Sequence, residues 1–270
     1  MNHHHHWRYA PAPQNAWLLL DTLSTPGLAE QFKRRFDDSY VGDELFAHTQ
    51  LHPLRDQGPL LIRMAPGSPL SQAFPQESED WPGLIIVCAA PKQQLLAHLR
   101  RMLTVRFSEH LISVLTYYNV QTASYFFDGM DALELSLWMG PMESLTWYGG
   151  PWGDKVDDSQ GRQFVINPKL NVPVLTVEPT LSLRQQNKLQ QCLLERHAYQ
   201  WNDAAGNHYR ETLRHVHEGL GLGFNISAVL DEWLALRAMH PSNSVPSVLY
   251  GDTQRARLET LAHYWQGRRS

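Results

Sequence analysis

GLIIVCAAPKQQLLAHLRRMLTVRF, residues 83–107, carries the reading that decides the fold. Its opening, GLIIVCAA (83–90), is a short apolar run of strand length. Pro91 follows where a helix can begin, because a first-turn proline loses no hydrogen bond there. Leu95, Leu96, Leu99, Met102 and Leu103 then share one apolar face, with His98, Arg100 and Arg101 falling mainly to the other side. Upstream, AWLLLD (16–21) reads as a buried strand, and Leu28, Phe32 and Phe36 recur every fourth residue as a helical stripe after Pro26 and Gly27. PLLIRM (59–64) and LISVLTYY (111–118) add two strands. Strands alternating with helices predict an α/β (α+β) N-terminal lobe with a mixed sheet and flanking helices.

Further along, Asp131 with Glu134 three residues on has the form of a capping box before a short helix. GPMESLTWYGGPW (140–152) reads as a strand between glycine turns, and the polar, turn-rich GGPWGDKVDDSQGR (149–162) as a linker. FVINPKLNVPVLTVEP (164–179) holds one or two short strands broken by prolines. Beyond it the pattern is helical. Ser182 and Gln185 form a second capping box; Leu189, Cys192, Leu193 and Arg196 share a face. Ile226, Val229, Leu230, Trp233 and Leu234 make one apolar stripe, and Leu258, Leu261, Ala262 and Trp265 another. The expected organisation is a tail at 1–15, an α/β domain at 16–155 and a mainly helical C-terminal lobe at 156–270.

The 270 residues are enough for one large domain or two lobes, and 43% of them are hydrophobic. The net charge of -4, with 23 basic and 27 acidic residues and only pairs such as Arg100-Arg101 and Arg268-Arg269, argues against a nucleic-acid partner. The longest apolar run, LIIVCAA (84–90), is far shorter than the ~20 residues that span a bilayer, so no membrane association is expected. MNHHHHWRYAPAPQ has no apolar signal region, which with two cysteines, Cys88 and Cys192, read as buried thiols, points to the cytoplasm. His3 to His6 are set aside as tag-like.

GLGLGF (219–224) resembles a phosphate cradle, but a dinucleotide loop follows a strand, and this stretch follows the helical pattern ETLRHVHE (211–218). It is read as a helix C-cap at Gly219 or Gly221, with Asn225 or Ser227 capping the next helix. His208, Glu211 and His215 can share a helical face, yet there is no H-E-x-x-H, and a polar helix surface is the simpler reading. No G-x-S-x-G elbow occurs. Asp37-Asp38 and Asp157-Asp158 read as solvated turn residues. No catalytic residue, cofactor or metal is therefore assigned. The aromatic surplus is more informative: Trp138, Trp147, Tyr148 and Trp152 crowd the end of the first lobe, and Trp201 and Trp233 lie in the second. They are the candidate protein-binding residues, against the plainer reading of core packing.

The order AWLLLD, GPLLIRM, WPGLIIVCAAP, LLAHLRRMLTVRF, LTYYNVQTASYFF and LWMGPMESLTW resembles the DUF4123 family over residues 16 to 150. LLAHLRRMLTV (95–105) is its most specific piece, and Gly140-Pro141 matches the family's Gly-Pro before a further strand; Asn119-Val120 stands where the family has Asp-Pro. HVHEGLGLGFNISAVLDEWLALRAMHP is similar to the family's closing helix–Gly–helix pattern. The resemblance implies a non-catalytic adaptor, or chaperone, of bacterial type VI secretion. Such an adaptor holds a cognate toxic effector in the cytoplasm and helps load it onto the VgrG spike protein or a spike-tip protein. It implies spike recognition by the first lobe and effector specificity in the helical one. The alternatives are an immunity-type toxin-binding protein and a hydrolase whose Ser, His and Asp meet only in space.

Overall fold

All five residues of β1 (Ala16–Leu20) are buried. A strand buried on both faces needs neighbours at both edges and cover above and below, and the computed structural model supplies both. It describes residues 12–36, 42–108, 111–205 and 208–267. The chain divides into two compact units, Met1–Cys192 and Leu193–Ser270, and the division falls inside the helix Leu183–Ala205.

In the first unit, β2 (Gly42–Glu44), β3 (Leu60–Met64), β4 (Gly83–Val87), β7 (Ser144–Gly149) and β8 (Gly161–Ile166) join β1 in a six-stranded sheet of order β2-β3-β1-β4-β7-β8. The expected class holds, but each strand pairing in this sheet is antiparallel rather than mixed. β5 (Thr104–Ser108) and β6 (Leu111–Val114) form a separate antiparallel ribbon. Side chains alternate across the strands. Trp17, Leu19, Leu61, Leu84, Ile86 and Leu145 face a core closed by α3 (Lys92–Arg101), α4 (Val120–Phe126) and α5 (Ala132–Met139). Ala16, Leu18, Leu20, Ile62, Met64 and Ile85 face the other way, toward α1 (Leu28–Phe36) and α2 (Pro69–Glu77). There Leu28, Phe32 and Phe36 bury their predicted stripe, and Trp81 packs edge-on to Phe32 and Phe36 at 5.9 and 6.1 Å. Each such buried large side chain contributes about 1.5–3 kcal/mol.

Two expectations change. LISVLTYY is not one strand: β6 stops at Val114, and Tyr117 and Tyr118 turn into the core before Asn119 caps α4. The segment 149–162 is not a linker. It is the β7–β8 connection and carries α6 (Trp152–Val156), and β8 returns to pair with β7 at six positions. The boundary expected at 155/156 therefore falls in α6, between two paired strands of one sheet. A polar, turn-rich stretch looks alike in a linker and in a hairpin connection; only the later pairing separates them.

The 23-residue α7 (Leu183–Ala205) opens on the predicted capping box. The Ser182 N–H donates to Gln185 Oε1 at 2.9 Å, and the Gln185 N–H donates to Ser182 Oγ at 3.3 Å. Its buried face carries Gln185, Leu189 and Cys192, whereas Leu193 is exposed. Cys88 and Cys192 are both buried free thiols.

The second unit holds α8 (Tyr209–Gly221), α9 (Ser227–Met239) and α10 (Gln254–Gln266). α9 buries Val229, Leu230, Trp233 and Leu234 of its predicted stripe but leaves Ile226 exposed at the cap, and α10 buries Leu258, Leu261 and Trp265. Trp233 stacks within 6.0 Å of Trp265 and 5.7 Å of Phe224, and its indole N–H donates to His215 O at 2.8 Å. GLGLGF is indeed an inter-helix turn, though shifted from the predicted cap. Gly219 lies within α8, against the Trp233 ring, and the left-handed residue is Gly223 at φ 83°. The Phe224 N–H reaches Gly219 O and the Gly223 N–H reaches Leu220 O, both at 2.9 Å, which closes the helix end. Ile226, not Asn225 or Ser227, stands at the α9 cap position and makes no side-chain cap bond, while Gln254 Oε1 accepts the Asn225 and Ile226 N–H groups.

Candidate functional site

The six nominated aromatics separate by burial. Trp138 is 2% exposed, edge-on to Phe126 at 4.9 Å; Trp147 is 4% exposed, its indole N–H bonded to Ser124 Oγ at 2.9 Å; Trp233 is 0% exposed. These three are core residues, so their nomination as binding residues is corrected: a partner cannot reach them while the chain is folded. Tyr148, Trp152 and Trp201 are half-buried. Trp152 lies under the Lys155 ammonium at 5.4 Å. Trp201 lines a cleft of about 210 Å³ in the second unit, with Glu211, Thr212, His215 and Leu234. His215 is held below the usual imidazole range by burial, then by the Arg214 and Arg237 charges. His208 is exposed and precedes α8, so the predicted shared face with Glu211 and His215 does not form. Among the described residues no three His, Cys, Asp or Glu side chains are grouped as metal ligands. Asp157 and Asp158 are exposed in the β7–β8 connection; Asp37-Asp38 and His3 to His6 lie outside the described residues.

A cleft of about 460 Å³ opens where β1, β3 and β4 meet the start of α3, lined by Trp17, Asp43, Arg63, Cys88 and Lys92 among others. Its charges are engaged: Lys92 pairs with Asp43 at 3.1 Å, and Arg63 lies over the Trp17 ring at 5.8 Å. Burial raises the Cys88 thiol, which donates to Pro141 O at 3.3 Å, so it is protonated at neutral pH rather than a ready nucleophile.

Two buried polar contacts hold the motif-bearing turns in place. His98 was expected on the polar side of α3 but is 3% exposed, with Nε2 2.8 Å from Trp138 O. Burial lowers its pKa, so the ring is neutral. It packs so closely on Gly140, where φ is 50°, that a Cβ there would lie 2.3 Å from His98 Cε1. At the other end of the sheet, Asn119 Oδ1 accepts the Thr122 N–H and so caps α4, while Nδ2 donates to Asp21 Oδ2 at 3.0 Å. Burial raises the Asp21 carboxyl, partly opposed by that Asn119 bond. The folded chain therefore keeps the Asp21 proton to higher pH than the unfolded chain. The stabilisation from this group is full below the unfolded value, near 3.8, and is lost as pH rises through the folded value. Asn119→Asp places a second carboxylate against Asp21. It is expected to cost about 1–3 kcal/mol at pH 7 and much less near pH 4, as urea unfolding at the two pH values would show.

Two apolar areas of the first unit remain open. Residues 178–181 run beside β5: the Arg106 N–H donates to Pro179 O at 3.0 Å, the Leu181 N–H donates to Arg106 O at 3.3 Å, and the Arg106 guanidinium pairs with Glu178 at 2.9 Å. β6 lies on the far side of β5 and exposes Leu111, Ile112 and Val114, while Val177 is 68% exposed. The other area is half of one sheet face. α1 and α2 cover the part built from β1, β3 and β4, but Phe164 and Ile166, which follow Ile85 and Val87 across β7 on that same face, are 61% and 59% exposed. Tyr148 pairs with Arg162 there. No local pattern marks this face, because it exists only where the helical cover stops.

Residues 16–137 match the family model described as a domain of unknown function, DUF4123. No curated protein and no solved structure matches the chain. The DUF4123 segment runs from β1 into α5. It thus contains Asp21, His98 and Asn119 and the β5–β6 ribbon, and stops short of Gly140, β7 and β8. Among the described residues no helix is long and apolar enough to cross a membrane.

Proposed function

We propose that this chain is a non-catalytic adaptor that binds a cognate type VI toxic effector in the cytoplasm and helps load it onto the VgrG spike or a spike-tip protein. The reading rests on the order of elements over residues 16 to 150 and on the DUF4123 match within it. The observation that carries it furthest is the β6 edge. Leu111, Ile112 and Val114, at 54%, 42% and 45% exposure, stand on a ribbon outside the main sheet, with Val177 beyond the other edge of β5. A row of large apolar side chains at an uncovered strand edge is what a protein-binding surface offers before its partner arrives.

On this reading the first unit engages the spike through the ribbon, and the helical unit holds the effector. A double variant Ile112→Asp, Val114→Asp changes only exposed side chains and should fold as the parent does. It is expected to lose at least tenfold in affinity for the spike, about 1.4 kcal/mol, in a titration with purified VgrG. Unchanged binding would remove the ribbon from the interface. An assay of effector toxicity separates the immunity-type alternative: an adaptor leaves the released effector active, whereas an immunity protein abolishes its activity.

A further inference from the structure

The larger cleft of the first unit is rich in donors and poor in acceptors. It holds about 460 Å³, within the range of small-ligand sites. Trp17 lines it and is 5% exposed, yet its indole N–H has no hydrogen-bond acceptor among the described residues. A buried indole N–H ordinarily has one. Arg63 stands opposite Trp17 in the β1–β3 register and rests its guanidinium over the ring at 5.8 Å. Stacking uses the face of that group and leaves its N–H edge open. No described residue forms an ion pair or hydrogen bond with that edge. Lys92, at the positive end of α3, is held by Asp43 at 3.1 Å. Asp43 is the only acid among the lining residues, so Arg63 leaves the lining with one positive charge in excess. Cys88 to Pro91 supply an apolar wall.

We propose that this cleft binds a carboxylate carried on a small apolar body. The Trp17 indole N–H and the open edge of Arg63 donate to the carboxylate oxygens, a planar group that a guanidinium meets with two parallel bonds. The apolar body lies along Cys88 to Pro91. The single excess charge matches a monoanion. A phosphate group, which carries nearly two charges at neutral pH, would be left under-neutralised. The volume admits a group the size of a capped amino acid. The carboxylate therefore belongs either to a free small acid or to a protein that reaches into the cleft. The inference is independent of the adaptor reading.

The probe is N-acetyl-leucine, titrated into the full isotope-labelled chain while the Trp17 indole N–H resonance is followed. Loss of one indole signal in Trp17→Phe assigns that resonance, and calorimetry gives the affinity independently of the assignment. A saturable downfield shift is expected, with a Kd of roughly 50 µM to 2 mM. N-acetyl-leucinamide, the same body without the charge, should not shift the signal, and inorganic phosphate should bind about tenfold more weakly or worse. Arg63→Gln changes an exposed side chain and should weaken binding by about tenfold or more, with far-ultraviolet circular dichroism confirming the fold. A capped tripeptide ending in leucine separates the two sources. Binding about tenfold tighter than N-acetyl-leucine places the carboxylate on a protein, and equal binding places it on a free acid. No shift at about 20 mM N-acetyl-leucine, an equal shift with the amide, or full affinity in Arg63→Gln overturns the proposal. Phosphate binding tighter than the acid overturns the carboxylate assignment.

Discussion

Gly140→Ala is expected to destabilise the protein by about 3 kcal/mol or more, read as a fall in the urea midpoint of the circular-dichroism transition. Two costs add. The backbone at Gly140 has φ 50° and ψ -116°, a region that a residue with a Cβ seldom enters. An added Cβ would also lie 2.3 Å from His98 Cε1, well inside van der Waals contact. The ring cannot simply retreat, because its Nε2 is fixed to Trp138 O and it sits in a closed core. A double variant with His98→Ala should relieve the steric part and leave the backbone part, so the two effects should fall short of adding. A Gly140→Ala protein as stable as the parent would mean that this turn is not what anchors α3 to α5.

Trp233→Ala is expected to cost about 3–5 kcal/mol, from the cavity left in the second unit. The side chain is wholly buried, stacked near Phe224 and Trp265, covered by the Arg237 guanidinium at 5.8 Å and seated on Gly219. Its loss also removes the indole N–H that His215 O accepts. Trp233→Phe keeps part of the packing and should fall between. Hydrogen exchange of the α8 and α9 amides measures the effect within the unit itself. Unchanged protection there would show that the indole is not the centre of that core.

Local pattern was enough for the elements whose signal is contained within them. β1 and β4 are continuous apolar runs, α1 repeats Leu28, Phe32 and Phe36 on one face, and the Asp131 and Ser182 boxes announce α5 and α7. What stayed hidden depended on distant partners. TVRF (104–107) follows the helical stripe that ends at Leu103 with no turn residue between them, and no local pattern marks it as β5, which its pairing with β6 makes it. α2 carries Pro75 in its interior, which masks a helical pattern. His98 looks polar until Gly140, forty-two residues on, gives it a bare surface to lie against. The aromatics announced area without saying which side of the wall it lay on: Trp138, Trp147 and Trp233 spend theirs on the core. The exposed candidates are Ile112, Val114, Phe164 and Ile166, ordinary strand residues whose exposure follows from where sheet cover and strand pairing end.

The most direct test of the adaptor reading is affinity capture of this chain from an extract of its source bacterium, with the bound proteins identified by mass spectrometry. The account predicts recovery of a toxin together with a VgrG-type spike or spike-tip protein. It also predicts loss of the spike, but not the toxin, from the Ile112→Asp, Val114→Asp variant. Recovery of neither partner, with both overproduced, would contradict the account.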